Sequence, residues 1–540
     1  MKITWCHTKE PLDRSAKQVE PRGVALELLL LTLLTLFCRA PFFFESVIDW
    51  DESTFILMGQ SLLDGHLPYT RLWDLKPPFL FGFFSLAILL FGKTIASVRF
   101  AGALVVALTA FSVNRITQRL WTVRAGWIAG GLFILMMSVV AGGQPVMSEH
   151  IAVLPLTLAL WLLVVRGATT PTLFYCGLLI SAAMMMRLNL VYVAVGMGLY
   201  LPVAGLRQPL AQQVRTVKRI RTVEQVRTGL IYGLGVVIPV FLGFLPYWIT
   251  GISQAWWTSV VVASFSRANA DLESYEVAVV LLVKILDYIW NWPGFGLHIL
   301  FWLGTIGGIR LILKRRMQLQ PQQTSGWALV IAFILTIQFS ILGSGSAHPH
   351  YLIQLVPFFA ILSGIFVEAV IKQGRQFFIA VLLLLCLGAY PIFGQYASIT
   401  SGLLTGAPID YSPARAIANY LFDQGLEEHS IYLMDEHLAY WYLNTYPLIP
   451  SIAHPSTIGK DYLLQILYGP SWSSPREMRR LLDLKPELIV KQADPFYLKE
   501  QPKTVELLEA ALDQNYTFIH DIEGLKIYAN KDLSTLDSEW

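Results

Sequence analysis

Apolar runs of about 20 residues recur along this chain, each bounded by charge or by Pro and Gly, and they decide where it can fold. A helix of that length just crosses the hydrocarbon of a bilayer and satisfies its backbone hydrogen bonds internally. Eleven runs qualify, at 23–44, 97–117, 125–143, 150–165, 171–186, 188–206, 228–250, 294–313, 326–342, 351–371 and 376–398. With 55% hydrophobic and only 14% charged residues, the composition excludes an ordinary water-soluble globule. The expected fold is a polytopic α-helical membrane protein of about 11–13 spans, with the lipid bilayer as its solvent.

Charge orients the runs. The first 22 residues carry Lys2, Lys9, Arg14, Lys17 and Arg22 and enter an apolar run with no small-residue cleavage site, which fits a cytoplasmic tail and a retained anchor. Phe79 to Phe91 is short for a span and follows Lys76-Pro77-Pro78, so it reads as a juxtamembrane or re-entrant helix. If it does not cross, the basic stretches Arg119–Arg124, Arg207–Arg227, Lys314–Arg316 and Lys372–Arg375 all fall on the side of the basic N-terminus. The same parity puts a first loop (45–96, with juxtamembrane helices), the Gln144–His150 turn, a 251–293 loop and Gly343–His350 outside the cytoplasmic membrane. The division is a tail (1–22), a transmembrane module (23–398) and an extracytoplasmic soluble domain (399–540).

That last segment mixes a helical stretch at Ala414–Gln424 with strand-like stretches at Ser430–Met434, Leu488–Lys491 and Thr517–Asn530, the last broken by a Glu-Gly turn. A small α/β domain is expected, without a phosphate-binding glycine loop, zinc spacing or nucleophile elbow. The formal charge of +3 gives no support for nucleic acid as a partner. Cys6, Cys38, Cys176 and Cys386 suggest neither a disulfide framework nor a zinc cluster.

Chemistry concentrates in the first outer loop, where Asp49, Asp51 and Glu52 precede a stretch with Phe55, Met58 and Leu62 at helical spacing, stopped by Asp64-Gly65. An N-cap on a helix start accounts for one acid there. Three carboxylates within four residues exceed that need, and beside the membrane they could hold a general base. Asp49-x-Asp51 also has the form of a hard-cation site for magnesium or manganese, although no third ligand is identifiable. Glu149 falls on the same membrane face; an acid also suits the start of a span there.

Cations that could meet a phosphate on that face are Lys76, Arg187, Arg267, His348 and His350. Arg187 interrupts an apolar stretch, which calls for a partner, a ligand or snorkelling to the interface. Lys76 is either a headgroup anchor or a phosphate contact, and His348 and His350 are either zinc ligands or interfacial residues. Trp50, Trp73, Trp256, Trp257, Trp290 and Trp292 read as an aromatic belt, with sugar stacking as the alternative for Trp50 and Trp73.

The order Asp51-Glu52 after a first span, a stretch ending Asp64-Gly65, then Lys76-Pro77-Pro78 before an apolar helix resembles the C-type membrane glycosyltransferases. Within these it is most similar to the bacterial protein-mannosyltransferase-like and aminoarabinose-transferase-like group, which takes sugars from polyprenyl-phosphate carriers. Glu149 stands at the place of that group's second-loop acid, and His350-Tyr351 with Pro357 resembles its late-span pattern. The resemblance implies an inverting displacement at the anomeric carbon, with a polyprenyl-phosphate sugar as donor and a hydroxyl on protein, lipid or polysaccharide as acceptor. It casts Asp51 as base with Glu52 and Glu149 assisting, and Lys76, Arg187, Arg267, His350 and Tyr351 around the donor phosphate.

A transporter or flippase of lipid-linked or small anionic substrates is the alternative. Transporters place ionisable residues near the bilayer midplane in two related halves, whereas here acids gather in one outer loop and no halves are evident. A scaffold or sensor would leave those acids unexplained.

Overall fold

The computed structural model describes residues 21–44, 49–204, 218–268, 274–291, 294–406 and 412–534. Cys6 and the basic tail, Trp292, and much of Arg207–Arg227 lie outside the described residues, as does the side chain of Trp290. Helices follow in the order α1 (Pro21–Arg39), α2 (Trp50–Leu63), α3 (Pro78–Phe91), α4 (Ile95–Leu120), α5 (Val123–Val139), α6 (Ser148–Arg166), α7 (Thr170–Met184), α8 (Val191–Val203) and α9 (Lys218–Ile249). They continue with α10 (Ser253–Trp256), α11 (Ala263–Ala268), α12 (Ser274–Asn291), α13 (Phe295–Arg315), α14 (Pro321–Leu342), α15 (Val356–Ile371), α16 (Arg375–Gly388) and α17 (Tyr390–Thr405).

All eleven apolar runs lie on helices. Among the described residues seven helices are long and apolar enough to cross a membrane, or eight if α16 and α17, bent by 44°, form one span. The runs at 125–143, 171–186 and 188–206 correspond to shorter apolar helices. The chain is a multi-pass membrane protein, and its lipid-facing Leu, Val and Phe side chains remain exposed on α1, α9, α13 and α16.

Helix α3 has 14 residues, a length of about 21 Å at 1.5 Å per residue. It packs so closely on α2 that a Cβ on Gly59 would come within 2.6 Å of Phe84 Cβ, a fit that only glycine permits. The expectation of one apolar face on α2 gives way to a helix enclosed all round: Phe55, Ile56, Leu57 and Met58 are all buried. The 251–293 stretch, read as a loop, is largely helical, with α10, a π-helical turn at Trp257–Val262, α11 and α12. Its lack of an uninterrupted apolar run concealed it, because Lys284 and Asp287 break α12.

Beyond α17 the chain forms α18 (Pro413–Asp423), α19 (Leu438–Tyr442), α20 (Asp461–Tyr468), α21 (Ser474–Asp483) and α22 (Pro502–Asn515) around four strands. These are β1 (Ile431–Leu433), β2 (Leu488–Gln492), β3 (Tyr516–Ile522) and β4 (Leu525–Asn530), in the order β1-β2-β4-β3. The β1–β2 pair is parallel; β4 runs antiparallel to β2 and to β3. The Glu-Gly turn expected from sequence closes the β3–β4 hairpin with both residues at positive φ, 55° and 87°.

The core is continuous across the α17 boundary. Phe55, Leu57 and Phe84 belong to the same buried cluster as Ala414, Trp441 and Leu488. Hydrogen bonds from Trp73 N–H to Pro450 O (3.1 Å), Thr54 Oγ1 to Ala453 O (3.2 Å) and Trp441 Nε1 to Gln60 Oε1 (3.3 Å) tie α2 and its loop to the sheet-bearing segment.

Candidate active site

The first turn of α2 carries the acids. Asp49 is its N-cap, with Oδ1 accepting the Asp51 N–H at 2.9 Å. Asp51, two residues further in on the same turn, has its two oxygens divided between two partners: Oδ2 lies 3.6 Å from Lys76 Nζ, and Oδ1 lies 3.3 Å from His454 Nε2. Burial opposes ionisation of Asp51, but Lys76 and His454 outweigh it and hold the carboxyl well below its ordinary range. Asp49 goes the other way: burial, then the charge of Asp51, pushes it up to about 7. Two carboxyls two residues apart are thus driven in opposite directions, the pattern by which acid and base roles separate.

Lys76 is buried, and although burial works against its charge, Asp51 and Asp74 hold its pKa above the ordinary value. Its backbone is fixed on both sides: Asp74 Oδ1 accepts its N–H at 2.8 Å and Tyr69 Oη donates to its carbonyl at 2.6 Å. An ammonium group therefore faces Asp51. Among the described residues no three His, Cys, Asp or Glu side chains gather as a metal site, and this includes His348 and His350.

Glu52, grouped with Asp51 on sequence, has a different setting. Its side chain is only 2% exposed and forms a two-pronged contact with Arg99, Nη2 to Oε2 at 2.8 Å and Nε to Oε1 at 3.3 Å. Oε1 also accepts the Val146 N–H at 2.8 Å, and Arg99 Nη1 donates to Phe42 O at 2.6 Å. Glu52 thereby ties α2 to α4, to the end of α1 and to the turn before α6, and both its oxygens are occupied.

Glu149, fully buried in the first turn of α6, lies 2.7 Å from Arg187 Nη1 and 3.6 Å from His350 Nε2, and Ser148 Oγ donates to its Oε2 at 2.9 Å. The Arg187 guanidinium is also stacked over the Tyr351 ring, 4.0 Å from its centroid. The turn before α6 is pressed against His350: Gly142 sits at φ +69°, and a Cβ there would be 2.6 Å from His350 Cβ. Arg39, buried at the end of α1, braces the same turn by donating to Met137 O (2.9 Å), Gly143 O (2.7 Å) and Gln144 O (2.8 Å).

These groups converge on one cavity lined by Lys76, Arg187, Asn189, Arg267, Ser344 and Tyr351 among others. Arg267 arrives at the end of α11, and the segment is held over the site by hydrogen bonds from Trp73 Nε1 to Ser259 Oγ (3.0 Å) and from Ser264 Oγ to Leu75 O (3.3 Å). Arg187 Nε and Asn189 Oδ1 are buried there without a hydrogen-bond partner, as befits a surface awaiting a polar ligand. Three cations line the cavity wall, an arrangement suited to an anion, and Asp51 lies 3.6 Å from one of them, Lys76.

The structure brings together Asp51, Lys76, Glu149, Arg187, Arg267, His350 and Tyr351, while Glu52 points away into its Arg99 pair. His348 is exposed and stacks on His350 with centroids 5.3 Å apart. Trp73 and Trp256 are buried, so neither is part of a belt; Trp50 has a face covered by Phe496, stacked at 5.1 Å; Trp257 is exposed. The sequence reading missed His454, which comes from the C-terminal segment, and the bracing arginines Arg39 and Arg99. The two arginines lie in or beside apolar runs and could have been flagged by the rule that singled out Arg187.

A family model described as dolichyl-phosphate-mannose-protein mannosyltransferase matches residues 75–219. The crystal structure of ArnT from Cupriavidus metallidurans bound to undecaprenyl phosphate is similar with a TM-score of 0.59 at 14% identity, over 94% of this chain and 98% of that one. Its apo state gives 0.58 at 14% identity over the same shares. The oligosaccharyltransferase AglB from Archaeoglobus fulgidus, in complex with an inhibitory peptide and a dolichol-phosphate, gives 0.50 at 12% identity, over 94% of this chain and 74% of that one. No curated protein sequence matches the chain. At these identities the structural likeness is one of fold.

Proposed function

We propose that this chain, which has the fold of the C-type membrane glycosyltransferases, transfers a sugar from a polyprenyl-phosphate-linked donor to a hydroxyl acceptor, with inversion at the anomeric carbon. The observation that carries the reading is the convergence of Lys76, Arg187 and Arg267 on one cavity, with Asp51 3.6 Å from Lys76. The family match over 75–219 contains Lys76, Glu149 and Arg187, and ArnT, which shares the fold, binds undecaprenyl phosphate.

In this reading the three cations and Tyr351 hold the donor phosphate and stabilise the charge that grows on it as the anomeric C–O bond breaks. Asp51 takes the acceptor hydroxyl proton as the acceptor oxygen attacks the opposite face of the sugar. Glu149 sets the position and charge of Arg187, and Glu52 fixes the helix that carries Asp51. In the same reading the active face lies outside the cytoplasmic membrane, with the N-terminus in the cytoplasm, the orientation that the basic stretches favour. Lys76 already provides positive charge beside Asp51, and Asp49 and Asp51 are the residues that would hold a magnesium or manganese ion.

Apart from Arg267 at the end of α11, the charged groups sit at helix starts and in connecting turns, whereas a transporter site would interrupt helices at the bilayer midplane, which favours transfer over transport. The test is thermal stabilisation of the purified chain by a panel of polyprenyl-phosphate sugars against bare polyprenyl phosphate. A sugar lipid that stabilises more than the bare carrier, with the gain lost in Arg187→Ala and kept in Asp51→Asn, is expected. No gain from any sugar lipid, with or without magnesium or manganese, removes this donor class.

A further inference from the structure

We propose that His454 is a positioning residue for Asp51, so that the C-terminal segment completes the reaction centre; this deepens the reading of Asp51 as base. Asp51 Oδ2 faces Lys76 and the cationic cavity, while Oδ1 faces His454 Nε2 at 3.3 Å. The two oxygens therefore look to different parts of the protein, one to the donor side and one to a segment that follows the last helix of the bundle.

The ring of His454 is oriented as well as near. Its Nδ1 accepts the Ser456 N–H at 3.2 Å and lies 3.1 Å from Ser456 Oγ, which in turn accepts from Lys460 Nζ at 3.1 Å. A backbone N–H can only donate, so Nδ1 presents its lone pair and the neutral imidazole carries its proton on Nε2, toward Asp51. That donor fixes the rotation of the carboxylate and favours its charged form.

The segment is pinned to α2 around His454. Thr54 Oγ1 donates to Ala453 O at 3.2 Å, the Trp50 ring meets the imidazole edge-on at 6.2 Å, and Phe496 stacks on Trp50 at 5.1 Å. Thr54 and Trp50 of α2 and Ala453 and Phe496 of the C-terminal segment share these contacts, so His454 is held in place by the same packing that covers the start of α2. The charged and titratable groups facing Asp51 are Lys76 before α3, His348 and His350 ahead of α15, His454, and Asp49 on its own segment.

Protonation of Asp51 can be followed without any donor lipid, by carbodiimide labelling of the full chain in detergent across a pH series and mass-spectrometric quantification of the Asp51 peptide. Carbodiimides react with the protonated carboxyl. His454→Phe, which keeps a ring against Trp50 and removes the donor, is expected to raise the labelling midpoint by about one pH unit. His454→Gln, whose amide N–H can take the place of Nε2–H, is expected to restore most of the native midpoint, and His454→Ala serves if the Phe variant does not fold. An unchanged midpoint in the donor-less variant, or an equal shift in His454→Gln, overturns the proposal. Because no sugar lipid is present, this outcome is independent of whether the transferase reading survives.

Discussion

The two ends of the helical bundle handle charge in different ways. At the end remote from the cavity, Arg115 meets Glu27 at 3.2 Å with side chains 21% and 13% exposed, and Lys372 meets Glu368 at 3.0 Å with the lysine 54% exposed. Those cations keep a foot in water and make local pairs of the kind worth at most about 1 kcal/mol. At the cavity end, the carboxylates of Glu52 and Glu149 are 2% and 0% exposed, and their partners Arg99 and Arg187 are 1% and 6% exposed. Burying both members of a pair is costly, and their mutual attraction only balances it when geometry is good. At the cavity end both members of each pair are dry, whereas at the remote end Glu368 is dry but its lysine reaches water, and Arg115 and Glu27 both stay partly wet.

The comparison can be broken by substitution at each end. The largest effect is expected at Asp51, the acid cast as base: Asp51→Asn should lower turnover of a sugar-lipid donor by about 100- to 10,000-fold while leaving donor-induced stabilisation intact. Turnover and thermal stabilisation measured on one preparation check it. Arg99→Ala strands Glu52 without its partner and should destabilise the chain by about 3–5 kcal/mol, seen as a large fall in Tm. Lys76→Ala should weaken donor-phosphate binding by roughly ten- to a hundredfold, the worth of one charge-assisted hydrogen bond, read by titration of the lipid phosphate.

A pH test sharpens the contrast between Asp49 and Asp51. Asp49 is pushed from an ordinary 3.8 to about 7 in the folded chain, so folding favours its protonated form. Stability at this group is therefore greatest below its unfolded value and is lost as pH rises toward 7. Asp49→Asn keeps a capping side chain with no charge to bury, and it should match the native Tm at low pH and exceed it at pH 8. The smallest change belongs to the remote end, where Lys372→Ala should shift stability by no more than about 1 kcal/mol.

How much of this was legible depended on range along the chain. The spans could be read because a helix in lipid must be apolar over its whole length, and every run found a helix. Strands β1, β2 and the β3–β4 hairpin could be read because alternation and a Glu-Gly turn are local. Asp51, Lys76, Glu149 and Arg187 stood out as charge beside or inside apolar sequence. Glu52 could not be told from Asp51, since adjacent residues on a helix point about 100° apart and only the fold says which meets Arg99. His454 had no local signal at all: its partner is Asp51, and nothing in the residues around either position marks the pairing. Arg267 lines the cavity although the helices that deliver it were taken for a loop.

The most direct test of the central claim is release of free polyprenyl phosphate from sugar-lipid donors by the purified chain in vesicles, with Asp51→Asn and Lys372→Ala in parallel. The account predicts that one donor is consumed by the native chain and by Lys372→Ala at similar rates, and at a rate lower by about two orders of magnitude or more in Asp51→Asn. Consumption undiminished in Asp51→Asn, or no donor consumed by the native chain, would contradict it.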